Sequence, residues 1–332
     1  MKRIDLRLLS SALVLLTSPL AIADDSPVLA TTSGPAAYVD YAPTSHWLAG
    51  ADAVALQPHF RDNTAFTVKQ SDGVTVDNFN TTNFHYDLGL SPRVWLEYRT
   101  DTDLALRTTF WIFDQTSRTE SASPPANGFG EITHPKFYLV DISSGIPNNR
   151  FTAASSLRMY YADLEVAKRG SFSNWDLVAS AGVRYGSVEQ RYQAKLRDNI
   201  GDLNGTLDFE HRLEGFGPTI AVETRRQLTQ SLAAFANLRY SYLFGEQQST
   251  FAGGTSLIPG LYQITATSVQ DDALSISEMQ LGGEWTASPT RLGQWFVRGA
   301  FETQFWTGAG NASSLSGDLG LIGFSLGLGL VR

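Results

Sequence analysis

Thirteen charged side chains recur on alternate positions of otherwise apolar stretches: Arg93, Glu97, Arg99, Arg107, Asp163, Glu165, Arg184, Glu223, Arg239, Glu278, Glu284, Arg298 and Glu302. Asp103, Asn237, Gln280 and Gln304 fall on the same phase. Two kinds of chemistry use such a set. A water-filled passage lined by both signs of charge selects ions and polar solutes. A narrow interior closed by mutual ion pairs uses the same residue types, because unpaired charge in a low-dielectric shell is costly. For any single residue the structural role is the expectation. Catalysis has less to stand on. The five histidines, His46, His59, His85, His134 and His211, pair with no serine or acid in a recognisable motif, and no G-x-S-x-G, H-E-x-x-H or P-loop pattern occurs. His85 and His211 are expected near one rim, and His211 beside Glu210 reads as a solvated pair. Asp271-Asp272 lacks EF-hand spacing, so no metal and no cofactor is expected, and the chain reads as a non-enzyme.

These charges need elements that hold them on one face. The stretch NWDLVASAGVRYGSVEQ, residues 174–190, shows the pattern. Trp175, Leu177, Ala179, Ala181, Val183 and Tyr185 share one side of a strand, and Asp176, Val178, Ser180, Gly182, Arg184 and Gly186 the other. Ten such segments are legible: Trp47–Gln57, Tyr86–Arg99, Asp103–Asp114, Leu157–Lys168, Asn174–Arg191, Leu207–Thr224, Ser231–Phe244, Ala273–Thr286, Gln294–Trp306 and Asp318–Val331. Most exceed the ~5–6 residues of an ordinary strand and suit tilted membrane strands of ~9–11 core residues with overhangs. The connections alternate between short polar turns, such as Thr100-Asp101-Thr102, and long stretches, such as 115–156, 192–206 and 245–272. Short turns at one end and long loops at the other are the habit of outer-membrane barrels. A hairpin is expected over Phe66–Val76, around Asp72-Gly73.

The aromatic residues mark the ends of the greasy face. Trp175 and Tyr185 stand ten residues apart on one side, as do Trp295 and Phe305. At ~3.4 Å per residue and a tilt of ~40° the rise is about 26 Å, close to the ~25 Å apolar band of such barrels. Tyr98, Trp175, Trp285 and Trp295 form the girdle near the short turns, and Tyr160, Tyr185, Tyr240, Tyr242 and Phe305 the one near the long loops. In the last strand Ile322, Phe324, Leu326, Leu328 and Leu330 face lipid, while Gly323, Ser325, Gly327 and Gly329 leave room inside. Pro92 and Pro218 fall within strands and are expected to mark bulges. A soluble sandwich with core-facing tryptophans is the competing reading; it would set them mid-strand.

Composition bounds the rest. Lys2, Arg3 and Arg7, the apolar run Leu8–Leu16 and Ala21-Ile22-Ala23 form a secretory signal over residues 1–23. Residues 24–45, rich in Ser, Pro, Thr and Ala, read as a flexible periplasmic leader, and 46–332 as the barrel. The formal charge is −8; cleavage removes three basic residues and one acidic one, giving −10. That balance offers nothing to nucleic acid. With no cysteine, disulfides, thiolate metal sites and a lipoprotein anchor are excluded. No later apolar run approaches the ~20 residues of a spanning helix.

The motifs SPRVWLEYR (Ser91–Arg99), YYADLEVAKR (Tyr160–Arg169), SAGVRYG (Ser180–Gly186) and LEGFGPTIAVE (Leu213–Glu223), with the Gly-rich end Gly317–Leu330, resemble the Legionella-type major outer-membrane proteins. The resemblance implies a pore-forming outer-membrane barrel with no catalytic residues. The chain departs from the commonest outer-membrane ending, a terminal aromatic, by finishing Val331-Arg332. The expected fold is an all-β transmembrane antiparallel up-and-down β-barrel of about 10 strands, within 8 to 12. The expected function is passive passage of small hydrophilic solutes or ions across the cell outer membrane. The alternative is a non-conducting surface barrel whose outer loops bind a ligand or host surface. Expected partners are outer-membrane lipid and lipopolysaccharide, the barrel-assembly machinery and the solutes themselves, with oligomers open.

Overall fold

The computed structural model describes residues 46–71, 74, 76–126, 129–135, 142–255 and 262–332. The signal (1–23), the leader (24–45) and the turn Asp72-Gly73 lie outside the described residues. Among the described residues fourteen strands follow one another: β1 (His46–Phe60), β2 (Thr64–Ser71), β3 (Val76–Asn83), β4 (Gly89–Arg99), β5 (Leu104–Thr116), β6 (Glu120–Ala122), β7 (Glu131–Thr133), β8 (Arg150–Phe172), β9 (Trp175–Arg197), β10 (Leu203–Gln227), β11 (Leu232–Thr255), β12 (Tyr262–Thr286), β13 (Gln294–Thr307) and β14 (Asp318–Val331). Ten of them, β1, β4, β5 and β8–β14, pair antiparallel in sequence order. The β5–β8 pairing, Leu104↔Lys168 to Thr116↔Ser156, and the β1–β14 pairing, Leu48↔Val331 to Phe60↔Leu319, close them into a ring. Closure leaves no sheet edge where lipid offers no hydrogen bond. Among the described residues no helix is long and apolar enough to cross a membrane.

Each of the ten expected segments falls on one of these ring strands, although Tyr86–Leu88 precede the start of β4. The short turns gather at one end: 100–103, Ser173-Asn174, 228–231 and 287–293. Asp103 (φ +61°) and Ser173 (φ +55°) adopt the left-handed backbone that such tight turns require. Asp103 therefore belongs to the turn, a correction to its expected place on the polar face. The first and last barrel residues meet at this end, where the Trp47 N–H donates to the Arg332 carbonyl at 2.8 Å and the Arg332 N–H returns the bond at 2.8 Å.

The other end differs from expectation. Stretches 192–206 and 245–272 are not mainly loop, because β8–β12 run for 23 to 25 residues. Their outer halves rise beyond the ring as a curved wall. β2, β3 and β7 form a separate three-stranded sheet within the outer connections. The expected hairpin is its β2–β3 pair, longer than read, from Thr64↔Asn83 to Ser71↔Val76. Phe66 packs edge-on against Phe151 of β8 (centroids 5.7 Å apart), and the Tyr192 hydroxyl of β9 donates to the Ala65 carbonyl at 2.7 Å. This small sheet thus sits against the inner face of the wall.

The prolines make no bulge. Register runs unbroken through Ala53↔Pro92 and through Pro218↔Val183. Pro92 stands where the β4–β5 ladder ends, at Arg93↔Trp111. Pro218 lies in a gap of the β10–β11 ladder, between Phe216↔Phe244 and Thr219↔Ser241. Each missing N–H therefore falls where a ladder is already interrupted. The room expected beside β14 is also taken. A Cβ on Gly329 would stand 2.2 Å from the Phe296 ring, one on Gly327 2.2 Å from Asp52 Oδ1, and one on Gly323 1.9 Å from the Ala55 carbonyl oxygen. These glycines admit neighbouring groups rather than open space.

Candidate functional site

The ring interior holds an ion-pair network built from alternate positions of its strands. Arg184 of β9 lies at its centre with no accessible surface. Its Nε and Nη2 donate to the two oxygens of Asp163 on β8 at 2.6 and 2.7 Å, and its Nη1 meets Glu278 of β12. The guanidinium stacks over the Tyr161 ring, 3.9 Å from its centroid. Arg239 of β11 bonds Glu165 at 2.7 Å and Asp163 at 3.1 Å. Arg93 of β4 makes a bidentate pair with Glu302 of β13 at 2.8 and 3.0 Å, and its Nε reaches Asp52 of β1 at 2.7 Å. Glu97 takes Arg99 at 2.5 Å and Arg107 at 2.6 Å. Arg298 pairs with Glu284 at 2.7 Å and Glu223 at 3.2 Å.

Several of these pairs join strands that are not neighbours. β9 reaches β12, β8 reaches β11, β4 reaches β13, and β10 reaches β13. Such contacts can only cross the inside of the ring. All thirteen charged residues named from the sequence carry one of these contacts. Asn237 and Gln280 lie within 3.5 Å of each other, and Gln280 and Gln304 both donate to Glu302.

Four members were not in the sequence-derived set. Asp52 is a single acid in an alanine-rich strand. Arg169, Asp176 and Arg225 sit at strand ends beside the turns, where Arg169 and Arg225 meet Asp176 at 2.9 and 3.5 Å. The alternation continues to them, and following it one turn further would have included them.

The interior is sealed unevenly along its axis. Near the short turns the Arg298 side chain keeps 31 % of its surface exposed. Arg184, further along, is sealed, and an aromatic layer follows. Trp111 stands 5.2 Å from Tyr161 and 6.4 Å from Trp306, ring centre to ring centre. The Trp111 indole N–H donates to Ser91 Oγ at 3.0 Å and that of Trp306 to Gln304 Oε1 at 3.1 Å, so neither ring carries an unpaired donor inward.

Beyond this layer the connection after β13 turns into the interior. Ala309 and Ala312 are fully buried. Gln190 Nε2 donates to the carbonyls of Ala309 (3.0 Å) and Gly310 (3.1 Å), Asn311 Nδ2 to that of Asp62 (2.9 Å), and the Ala312 N–H to Asn63 Oδ1 (3.2 Å). His211, expected at a solvated rim, is fully buried here, with Nε2 3.4 Å from the Ala309 carbonyl. Burial pushes its pKa down to about 4. His85 does lie at the exposed rim, 3.1 Å from Glu120. His134 Nδ1 lies 2.7 Å from the Pro135 carbonyl. Among the described residues no group of three or more His, Cys, Asp or Glu is placed to hold a metal ion.

The outer surface of the ring is apolar, with Phe324 at 63 % and Leu326 at 62 % exposure. Trp175, Trp285 and Trp295 lie exposed near the short turns, and Tyr98 packs at a tilt against Trp47 there (centroids 4.8 Å apart). Tyr185, Tyr240, Tyr242 and Phe305 lie exposed at the far end, with Tyr160 5.9 Å from Tyr185. Trp47, Phe216 and Phe244 extend these two sets. A family model described as the Legionella pneumophila major outer membrane protein precursor matches residues 41–330. The chain belongs to this family. It is a protein of the cell outer membrane, crossing it as a β-barrel. No curated protein matches it in sequence. Among solved structures it is similar to the outer membrane protease OmpT of Escherichia coli, at 11% identity and a TM-score of 0.45, over 86% of this chain and 97% of that one. It is also similar to OprG of Pseudomonas aeruginosa, at 11% identity and a TM-score of 0.31, over 86% and 95%. A third likeness is to a major outer membrane protein of Thermus thermophilus, at 8% identity and a TM-score of 0.33, over 87% and 99%. None of these likenesses carries an activity to this chain.

Proposed function

We propose that this family member is a closed outer-membrane barrel that presents its outer wall and loops for binding, rather than a passive pore for hydrophilic solutes. The observation that carries the reading is Arg184, fully buried mid-interior and tied to Asp163 and Glu278 from two other strands. The Trp111–Tyr161–Trp306 layer and the inward connection 308–317 support it by adding two further obstructions. A barrel of ~8 strands is filled by its own side chains, and ten strands with this much arginine and tryptophan follow the same rule. The reading is also non-catalytic. His211 faces a backbone carbonyl and the Phe209 ring (centroid distance 5.8 Å), with no acid or nucleophile bonded to it among the described residues.

Planar-bilayer recording of the purified barrel tests this reading. It predicts no discrete conductance in the wild type. Channels whose ion selectivity shifts in Arg184→Glu or Glu165→Lys would overturn it and restore the porin reading. The exposed approach to Arg298 favours one second reading, a gated conduit entered from the short-turn side. That reading predicts rare, voltage-dependent openings in the same recording.

A further inference from the structure

We propose that the free outer edge of β12, Ile264–Asp272, accepts an extended basic segment of another polypeptide as an added antiparallel strand. The proposal rests on the binding-barrel reading and names its partner class. β12 pairs with β11 along its whole length, from Tyr262↔Thr255 to Trp285↔Leu232. On its other side β13 covers only Ser275 to Thr286. Past Thr307 the chain leaves the sheet for the interior, so β12 continues upward with one side open. Among the described residues no other segment pairs with that side. The opposite edge of the wall is treated differently, because β6 covers β8 through Glu120↔Ala153, Ser121↔Thr152 and Ala122↔Phe151.

An open edge presents unpaired N–H and C=O groups, and proteins usually blunt it with lysine, proline or a bulge. Ile264-Thr-Ala-Thr-Ser-Val-Gln-Asp-Asp272 has no lysine and no proline, and its register with β11 is unbroken. Exposed main-chain groups on an unbulged edge give affinity by strand addition.

Charge selects the occupant. Glu214, Glu246 and Asp271 stand directly opposite one another across β10, β11 and β12. Like charges in that position repel. Arg212 neutralises Glu214, but Glu246 and Asp271 are exposed with no cation bonded to them among the described residues. A lysine or arginine delivered beside Asp271 relieves the repulsion, and uncharged strand formers suit Thr265–Val269. A second copy in the same membrane fits poorly. Rotation about the membrane normal gives two strands that both run down toward the membrane, not an antiparallel pair, and sets one Asp271 at the height of the other.

The test uses the full chain in lipid nanodiscs and a synthetic nonapeptide, Lys-Lys-Val-Thr-Val-Thr-Val-Thr-Val, followed by titration and by amide hydrogen exchange. Antiparallel addition sets the two lysines at the Asp271 end. The expected result is saturable binding, slowed exchange at Ile264–Asp272, and about 3- to 10-fold weaker binding in the Glu246→Gln, Asp271→Asn double variant. A peptide N-methylated at alternate residues, which cannot complete the ladder, should not bind. Equal binding by the N-methylated peptide, or protection elsewhere than β12, overturns the proposal. So does an acidic row that instead holds calcium and phosphorylated lipid and leaves the peptide unbound. Bilayer recording on the same preparation separates the two claims: conductance together with peptide binding sinks the closed-barrel reading alone, and silence without binding sinks the edge alone.

Discussion

Within the lipid band β9 turns Leu177, Val183 and Tyr185 outward and Asp176, Ser180 and Arg184 inward; a few residues on, the same strand turns Glu189, Arg191 and Lys195 outward and Val188, Tyr192 and Leu196 inward. β10 does the same, with Ile220 and Phe216 out and Glu223 in below, and Arg212, Glu210 and Asp208 out with Leu213, Phe209 and Leu207 in above. The side-chain phase never changes, but what it separates is inverted. Below, hydrocarbon surrounds the wall and the interior can be polar. Above, water surrounds it and the interior must be apolar. The crossover carries glycines, Gly186↔Gly215↔Gly245, on three adjacent strands. A Cβ on Gly186 would stand 2.9 Å from Leu243, and one on Gly245 1.7 Å from the Glu214 carbonyl oxygen. The two regions therefore depend on different forces, and they should fail differently.

The largest expected effect is in the ion-paired region. Arg184→Ala strips Glu278 of its bonded cation and leaves Asp163 only its 3.1 Å contact with Arg239 in a closed interior, and breaking such a pair costs about 3–5 kcal/mol. Urea unfolding in detergent, followed by loss of heat-modifiable migration on gels, should show it, while Arg184→Met with Asp163→Leu and Glu278→Gln should recover much of it. An Arg184→Ala barrel of unchanged stability would mean that the interior is wet, and the contrast between the halves would dissolve. In the apolar region Leu213→Ala removes a fully buried side chain. The cavity should cost about 2–5 kcal/mol. Its signature is local: faster amide exchange in the outer halves of β9–β11, with the Arg184 level unchanged.

The inversion also explains what the sequence yields and what it hides. All ten ring strands, both girdles and the thirteen interior charges can be read from one rule, apolar outward. That rule stops working where the outside becomes water, which is why the readable segments end at Leu157, Arg191, Leu207, Phe244 and Ala273. Lys195 and Arg197 then look like loop charges, and Tyr192, Leu196 and Phe251 like stray hydrophobes. His211 is misplaced for the same reason: beside Glu210 it looks solvated, but it points to the other face of the strand. The inward course of 308–317 has no local signal at all. Thr-Gly-Ala-Gly-Asn-Ala-Ser-Ser is ordinary loop composition, and its docking depends on Gln190, His211 and Asn63, distant in sequence.

A pH experiment sharpens the contrast at that docking site. His211 has a folded pKa of about 4, below its ordinary 6.5, so docking is at full strength above pH 6.5 and weakens as pH falls toward 4. Among the described residues no charged side chain bonds His211. Gln190 and Ser249 stand opposite it, and residues 308–317 carry no titratable group. Undocking that returns His211 to water should raise the undocked population at pH 5 relative to pH 8, by at most about 30-fold. Amide exchange across 308–317 reads it directly, and His211→Gln should make exchange there independent of pH. An acid response that survives in His211→Gln would assign the titration to some other group.

The smallest effect belongs to the lipid face. Leu328 and Leu213 are the same residue type on neighbouring regions of one barrel, the first exposed on the ring's outer face and the second sealed in the outer half. Lipid tails are as apolar as leucine, so truncating Leu328 leaves a surface that lipid refills. Leu328→Ala should change stability by less than about 0.5 kcal/mol, against the several expected for Leu213→Ala. The same urea titration measures both. A Leu328→Ala loss as large as that of Leu213→Ala would mean that protein, not lipid, covers β14 in the membrane. The wall there would then be an oligomer interface, and its apolar face would follow the rule of the upper half rather than the lower.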